Sequence, residues 1–309
     1  MMTARPSLPI ICGPTASGKT ALSLRLAEFF PLEIVSADSR QVYRLMDIGT
    51  AKPDRDQQQR VPHHLIDVVW PDEAFNASLF AGLARSAIAD ICKRQRSPLL
   101  VGGTGLYVRA LTEGLLRAPG ADPDVRRRLS RWADEAGCQA LHGRLSEVDP
   151  VAAEKLHPND RTRVIRALEV FEQTGKPLSE FQAAHRFSER PYRVLKLGLA
   201  VERSELDRRI DARSEQMFET GLLTEVEQLL ARGYDEELKS LKTIGYRQAI
   251  QVLRGQLSRE DAIFDLQRAT RRYARQQMTW LRQDKAIKWV DSFADFDTIR
   301  KFIDDFYVN

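Results

Sequence analysis

Apolar residues run together at Leu8-Pro9-Ile10-Ile11-Cys12 and then recur at helical spacing through Leu22, Leu26, Phe29 and Phe30. The pattern predicts a buried strand, a glycine-bearing loop and a helix over 18–30. Segments 33–36 (EIVS) and 98–101 (PLLV) read as two more buried strands, the second preceded by a helix over about 76–93. Between them 54–60 (DRDQQQR) reads as a polar loop. Strands alternating with helices predict a parallel sheet. Beyond Pro119 the texture changes: 121–191 carries charged amphipathic helical patterns and almost no strand-like run. Segment 192–201 (YRVLKLGLAV) alternates again as a strand, and 205–283 returns to helical patterning. The expected fold is therefore α/β, a parallel sheet flanked by helices. Its core is built from 1–120 and 192–309 and interrupted by a mainly α-helical insertion domain at 121–191.

Composition changes this picture little. A chain of 309 residues exceeds one average domain, which agrees with an interrupted core. With 43% hydrophobic and 29% charged residues, global disorder is excluded. The excess of 47 basic over 43 acidic residues suits a polyanionic partner but is too small to decide one. Cys12, Cys92 and Cys138 lack CxxC spacing, so neither a zinc site nor a disulfide framework is indicated, and a reducing cytoplasm is the expected location. The first apolar run is too short to span a bilayer and meets Gly13-Pro14 instead of a cleavage-type sequence, so no membrane partner is expected.

The loop carries the chemistry. Gly13-Pro14-Thr15-Ala16-Ser17-Gly18-Lys19-Thr20 fits GxxxxGK[ST] between a strand and a helix, the P-loop context. Glycines let several backbone N–H groups converge, the helix N-terminus adds positive potential, and Lys19 adds a full charge. Thr20 is placed to offer its hydroxyl to a magnesium ion on the phosphates. Such a loop specifies polyphosphate or diphosphate, most often a nucleotide such as ATP. The magnesium-holding Asp usual after an apolar strand is missing after Leu99-Leu100-Val101, where Gly102-Gly103-Thr104-Gly105 follows. Across the sheet edge, Asp38 in SADSRQVY (36–43) falls where ligands bind in open α/β folds. Its carboxylate could accept a proton from an attacking amine or hydroxyl, or cap the following helix; the residues alone allow both.

GPTASGKT at 13–20, SADSRQVY at 36–43, MDIGTAKP at 46–53, LLVGGTGLY at 99–107 and HPNDRTRVIRALEV at 157–170 together resemble the bacterial tRNA dimethylallyltransferases, nearly end to end. The resemblance implies transfer of a prenyl group from dimethylallyl diphosphate to the exocyclic amine of the adenosine 3′ of the anticodon, with Mg2+ and with diphosphate as leaving group. It makes Asp38 the candidate general base, gives the diphosphate to Lys19 and its P-loop neighbours, and gives one arginine of 209–213 a share of it. Arg213 is the favoured one, although an ion pair on a solvated helix face would explain it equally. Thr104 is implied to contact tRNA near the target nucleotide, or else to serve as a turn residue.

Further tRNA contacts are implied at Asp38, Ser39, Arg40 and Gln41, at Arg126, at Thr162, Arg163, Val164, Ile165 and Arg166, and at Lys242, Thr243, Ile244, Gly245, Tyr246 and Arg247. In the last segment Tyr246 is expected as a stacking platform for unstacked RNA. Basic clusters at Arg126-Arg127-Arg128 with Arg131, at Arg161, Arg163 and Arg166, and along Arg268–Lys288 fit phosphate contacts as sets. The expected partner is the anticodon stem-loop of tRNA, bound by a monomer. His63, His64, His142, His157 and His185 show no metal-ligand spacing. A P-loop kinase using ATP on a small metabolite would explain the core equally, but not the arginine clusters or the 102–105 turn. A non-catalytic RNA-binding NTPase would make Asp38 a magnesium ligand.

Overall fold

The computed structural model describes residues 5–116, 118–185, 189–291 and 295–308. The chain divides into two compact units, Met1–Thr112 with Arg190–Asn309, and Glu113–Glu189. In chain order the larger unit holds β1 (Ser7–Cys12), α1 (Lys19–Leu26), β2 (Leu32–Ser36), α2 (Arg55–Arg60), β3 (His63–His64), α3 (Ala77–Lys93) and β4 (Ser97–Gly102). α4 (Gly105–Glu113) leads to the smaller unit, which consists of α5 (Pro123–Val148), α6 (Pro150–Lys155), α7 (Arg161–Thr174) and α8 (Leu178–His185). The larger unit resumes with β5 (Arg193–Ala200), α9 (Arg203–Glu219), α10 (Leu222–Ala231), α11 (Tyr246–Leu253), α12 (Arg259–Leu281), β6 (Ile287–Asp291) and α13 (Phe296–Val308).

The six strands are parallel, in the order β3-β2-β4-β1-β5-β6. The sheet is covered on both faces, because successive residues of a strand point to opposite sides. Leu8, Ile10, Val35 and Leu100 pack with Phe80, Ala84, Ile88 and Ile91 of α3. Their neighbours Ile11, Ile34, Leu99 and Leu197 pack with Leu22 and Leu26 of α1 and with Ile299 and Ile303 of α13. A third cluster joins α9–α12 to Val42, Tyr43 and Met46, and the smaller unit closes its own core around Leu129, Leu141, Leu145, Val164 and Leu168.

Two strands escape the periodicity, β3 because it has only two residues and β6 because its burial pattern, Ile287 and Val290 in and Lys288 and Trp289 out, does not alternate. The expected loop at 54–60 is instead α2, started by a capping box in which Asp54 accepts from Gln57 N and the Gln57 side chain returns to Asp54 N. None of its residues is buried, so no apolar stripe marks it. The helix expected over 18–30 ends at Leu26, and the one over 76–93 starts from Asn76, whose Oδ1 accepts from Ser78 N and Leu79 N. No helix among the described residues is long and apolar enough to cross a membrane.

The histidine pair also finds its reason. Glu33, 2% exposed, accepts from both Nη atoms of Arg94 and lies 2.7 Å from His64 Nε2, while His63 Nδ1 lies 2.7 Å from Val61 O. A buried carboxylate needs such partners, and the Arg94 guanidinium is the first cause holding it below the usual carboxylate range.

Candidate active site

Register fixes which loops share an edge. Cys12 pairs with both Gly102 and Gly198, and Ser36 pairs with Val101. The segments leaving β1, β2, β4 and β5 therefore emerge together at the carboxyl ends of the strands, where ligands bind in open parallel sheets. Gly102 is required there, since a Cβ on it would stand 2.2 Å from the carbonyl oxygen of Ala37.

The P-loop turns through left-handed backbone at Ala16 (φ 62) and Gly18 (φ 90), and α1 begins without a side-chain cap. Its first N–H groups are thus left for a ligand or solvent. Lys19 Nζ folds back onto the carbonyls of Gly13 and Pro14 at 3.0 and 2.6 Å. Burial pushes its pKa down to about 8, opposed by Asp38 and assisted by Arg213. Ser17 Oγ is buried without a hydrogen-bond partner among the described residues. Arg213 Nη1 donates to Thr15 Oγ1 at 3.2 Å; burial lowers its pKa too, again opposed by Asp38. Arg209 donates to Glu205 at 2.6 Å from the same helix.

Asp38 takes up the capping geometry, its Oδ1 accepting from Arg40 N at 2.8 Å and Gln41 N at 3.4 Å. It also lines one cavity of about 420 Å³ together with Thr15–Thr20, Arg40, Gln41, Arg209 and Arg213. Apolar surface in that cavity comes from Ile210, Met217, Ile244 and Leu266. Gly13 and Pro14 are buried beneath the loop.

Thr104 stands outside the lining, and its side chain makes local bonds: its Oγ1 accepts from Ser39 N at 3.1 Å and bonds the Tyr273 hydroxyl. Of 242–247, Thr243 and Ile244 line the cavity, Lys242 pairs with Glu237 and Arg247 with Asp265. Gly245 N donates to the Gln248 side chain at 2.9 Å. Tyr246, expected as a stacking platform, is fully buried and donates its hydroxyl to Glu225 at 2.6 Å, so it cannot stack on RNA.

In the smaller unit most of the clustered arginines are held by carboxylates. Arg126 grips Glu169 through Nε and Nη2 at 2.8 and 3.0 Å, Arg166 Nη1 reaches the same group at 2.6 Å, and Arg127, Arg128 and Arg161 pair with Asp124, Glu172 and Asp134. Val164 is a core residue at 0% exposure, which corrects its place among the expected RNA contacts. Ile165 is buried at the floor of a cavity of about 480 Å³ rimmed by Lys155, Arg161, Thr162, Arg163 and Arg166.

Several residues of the cavity, Thr270, Tyr273 and Gln277 among them, were not assigned to the site from sequence. Leu266, Thr270, Tyr273 and Gln277 stand at helical spacing on α12 and all face the cavity. Polar and aromatic residues interrupting a buried stripe were the available signal. Burial and then Asp38 raise the Tyr273 pKa to about 12, which keeps the phenol protonated and able to donate.

A family model described as IPP transferase matches residues 41–284. The chain belongs to this family. IPP transferase relatives extend the match over the P-loop: the tRNA dimethylallyltransferase of Geobacter metallireducens is 52% identical over 300 residues, covering 97% of each chain. The full-length tRNA isopentenylpyrophosphate transferase of Bacillus halodurans superposes with a TM-score of 0.72 at 41% identity, covering 98% of this chain and 97% of that one. A eukaryotic dimethylallyltransferase acting on tRNA gives a TM-score of 0.82 at 28% identity, covering 98% of this chain and 80% of its own.

Proposed function

We propose that the chain transfers the dimethylallyl group of dimethylallyl diphosphate to the N6 amine of the adenosine 3′-adjacent to the tRNA anticodon, giving N6-dimethylallyladenosine and diphosphate. The observation that carries this reading is the joint lining of one cavity by the P-loop, Asp38 and an apolar patch. The cradle receives the diphosphate, Ile210, Met217, Ile244 and Leu266 offer surface to a five-carbon chain, and Asp38 is left to the nucleophile.

The allylic C–O bond breaks with its electron pair leaving on diphosphate, the N6–C bond forms, and the N6 proton passes to Asp38. Lys19, Arg213 and the N–H groups at the start of α1 stabilise charge that grows on the leaving oxygens. The Asp38 oxygen that accepts Arg40 N and Gln41 N is held in place by them, so the carboxylate needs no reorganisation to meet the amine. Mg2+ fits the oxygen donors present: Thr20 and Asp38 line the cavity, and among the described residues no cluster of three His, Cys, Asp or Glu side chains could cage a metal alone. Thr20 would hold the ion together with the diphosphate, and the bound ion would offset charge on the leaving group. We place the activity with its tRNA in the cytoplasm and require one chain, because the cavity is lined within a single copy.

The test is incubation of purified protein with unmodified tRNA, Mg2+ and either labelled dimethylallyl diphosphate or labelled ATP. Prenyl label in tRNA is expected. Label transfer only from ATP, or none from either, would overturn the proposal.

A further inference from the structure

We infer that Gln277 is a positioning residue for the transfer reaction, setting the separation between the diphosphate cradle and Asp38; this rests on the function proposed above. Gln277 is 8% exposed and lines the cavity from α12. Its two amide ends go to the two halves of the site. Oε1 accepts from the backbone N–H of Thr15, inside the P-loop, at 2.8 Å. Nε2 donates to the carbonyl of Gly103, in the turn after β4, at 3.1 Å.

The bridge continues on the Gly103 side. Thr104, the next residue, donates its N–H to Ala37 O at 3.2 Å and accepts Ser39 N on its hydroxyl, so both neighbours of Asp38 are tied to this turn. Gly103 makes room for the arrangement, because a Cβ there would stand 2.3 Å from Gln277 Nε2. One consequence concerns the cradle itself: the Thr15 N–H, which in an open loop would be available to phosphate, is taken by Gln277. The loop tip is therefore fastened to α12, and the diphosphate falls to the N–H groups further along and to Lys19 and Arg213.

Binding of diphosphate needs only the cradle, whereas prenyl transfer needs cradle and carboxylate at one fixed distance in the same instant. Loosening the bridge should therefore depress turnover while leaving diphosphate binding nearly intact, since misplacement of about 1 Å costs on the order of 100-fold in rate. A residue that merely stabilised the fold would lower the melting temperature without separating these two quantities.

The experiment compares wild type with Gln277→Leu, which keeps volume and loses both bonds, and with Gln277→Glu, which keeps the acceptor for Thr15 and loses the donor to Gly103. Saturating kcat for prenyl transfer to tRNA, the inhibition constant of inorganic diphosphate, and Tm are measured. The expected result is kcat lowered about 10- to 100-fold in Gln277→Leu with the diphosphate constant within about 3-fold. Gln277→Glu should fall in kcat as well, and it carries the test if the leucine variant does not fold. A kcat within 2-fold of wild type in folded variants, or a kcat loss matched by an equal loss of diphosphate affinity, overturns the inference. Absence of transfer by the wild-type protein would instead refute the function itself.

Discussion

Replacing Glu225 by alanine removes a carboxylate on α10 that closes four hydrogen bonds. It accepts from Asp47 N at 2.9 Å, Ile48 N at 2.8 Å, Gly49 N at 3.2 Å and the Tyr246 hydroxyl at 2.6 Å. The carboxylate thereby joins 47–49, which leads into the cavity wall at Gly49–Ala51, to the segment carrying Thr243 and Ile244. Packing there leaves no slack, as a Cβ on Gly49 would lie 2.4 Å from the Tyr246 ring. Hydrogen bonds to a charged acceptor contribute about 1.5–3 kcal/mol each, but these share one half-exposed group and water can replace it at Asp47. The buried Tyr246 hydroxyl has no such substitute, and leaving it unpaired costs about 1–3 kcal/mol. Glu225→Ala should therefore destabilise by about 3 kcal/mol and Tyr246→Phe by about 1 kcal/mol. In the Tyr246→Phe background the Glu225→Ala cost should shrink by about 1–2 kcal/mol, because the orphaned hydroxyl is gone. Urea midpoints at unchanged slope measure all three. A Glu225→Ala cost below about 0.5 kcal/mol, or one that is the same in both backgrounds, would show that the carboxylate does not hold these loops together.

Asp38→Asn keeps an acceptor for Arg40 N and loses the base, so turnover should drop about 100-fold or more while tRNA affinity measured by filter binding stays within a few-fold; near-normal turnover would remove Asp38 from proton transfer. Because burial lowers Lys19 to about 8 in the free protein and diphosphate favours the ammonium form, affinity for inorganic diphosphate should be highest below pH 8 and decline as pH rises through it. Titration calorimetry should find that decline in wild type and lose it in Lys19→Met. Arg275 is exposed on α12 and pairs with no carboxylate among the described residues, so Arg275→Ala should weaken tRNA binding and make the log K against log salt slope shallower by about 1. Arg126→Ala strips a partner from buried Glu169 and should instead lower the unfolding midpoint, with a smaller change of slope; the reverse order of slope changes would contradict this division.

What could be read from sequence was local. The P-loop declares itself because eight consecutive residues fold on one another, and Asp38 because it follows a strand by two residues. The insertion announced itself through the loss of strand-like runs between 121 and 191. Gln277 bonds a residue 262 positions earlier, and nothing near it in the chain marks that partner. Tyr246 misled for the same reason: beside Gly245 and between Lys242 and Arg247 it reads as an exposed ring, and only the approach of Gly49 shows where the ring goes. His64 was opaque until Glu33 paired with it across adjacent strands.

The arginine clusters show why counting charge overstates an RNA surface. Arg126 and Arg166 share Glu169, so two cations and one buried anion leave a net charge of about one, held rigid by three side-chain bonds. Such a group offers little bulk attraction but presents its remaining N–H donors in a fixed direction, which favours recognition of particular phosphates over loose adhesion. On α12 the arrangement is different. Arg272 and Arg275 flank Tyr273 without carboxylate partners among the described residues, on the same helix whose other face brings Thr270, Tyr273 and Gln277 to the cavity. On the function proposed above, bulk attraction and access to the reacting atoms would come from one helix, so that an RNA drawn to these exposed cations would arrive beside the cavity proposed to receive its base.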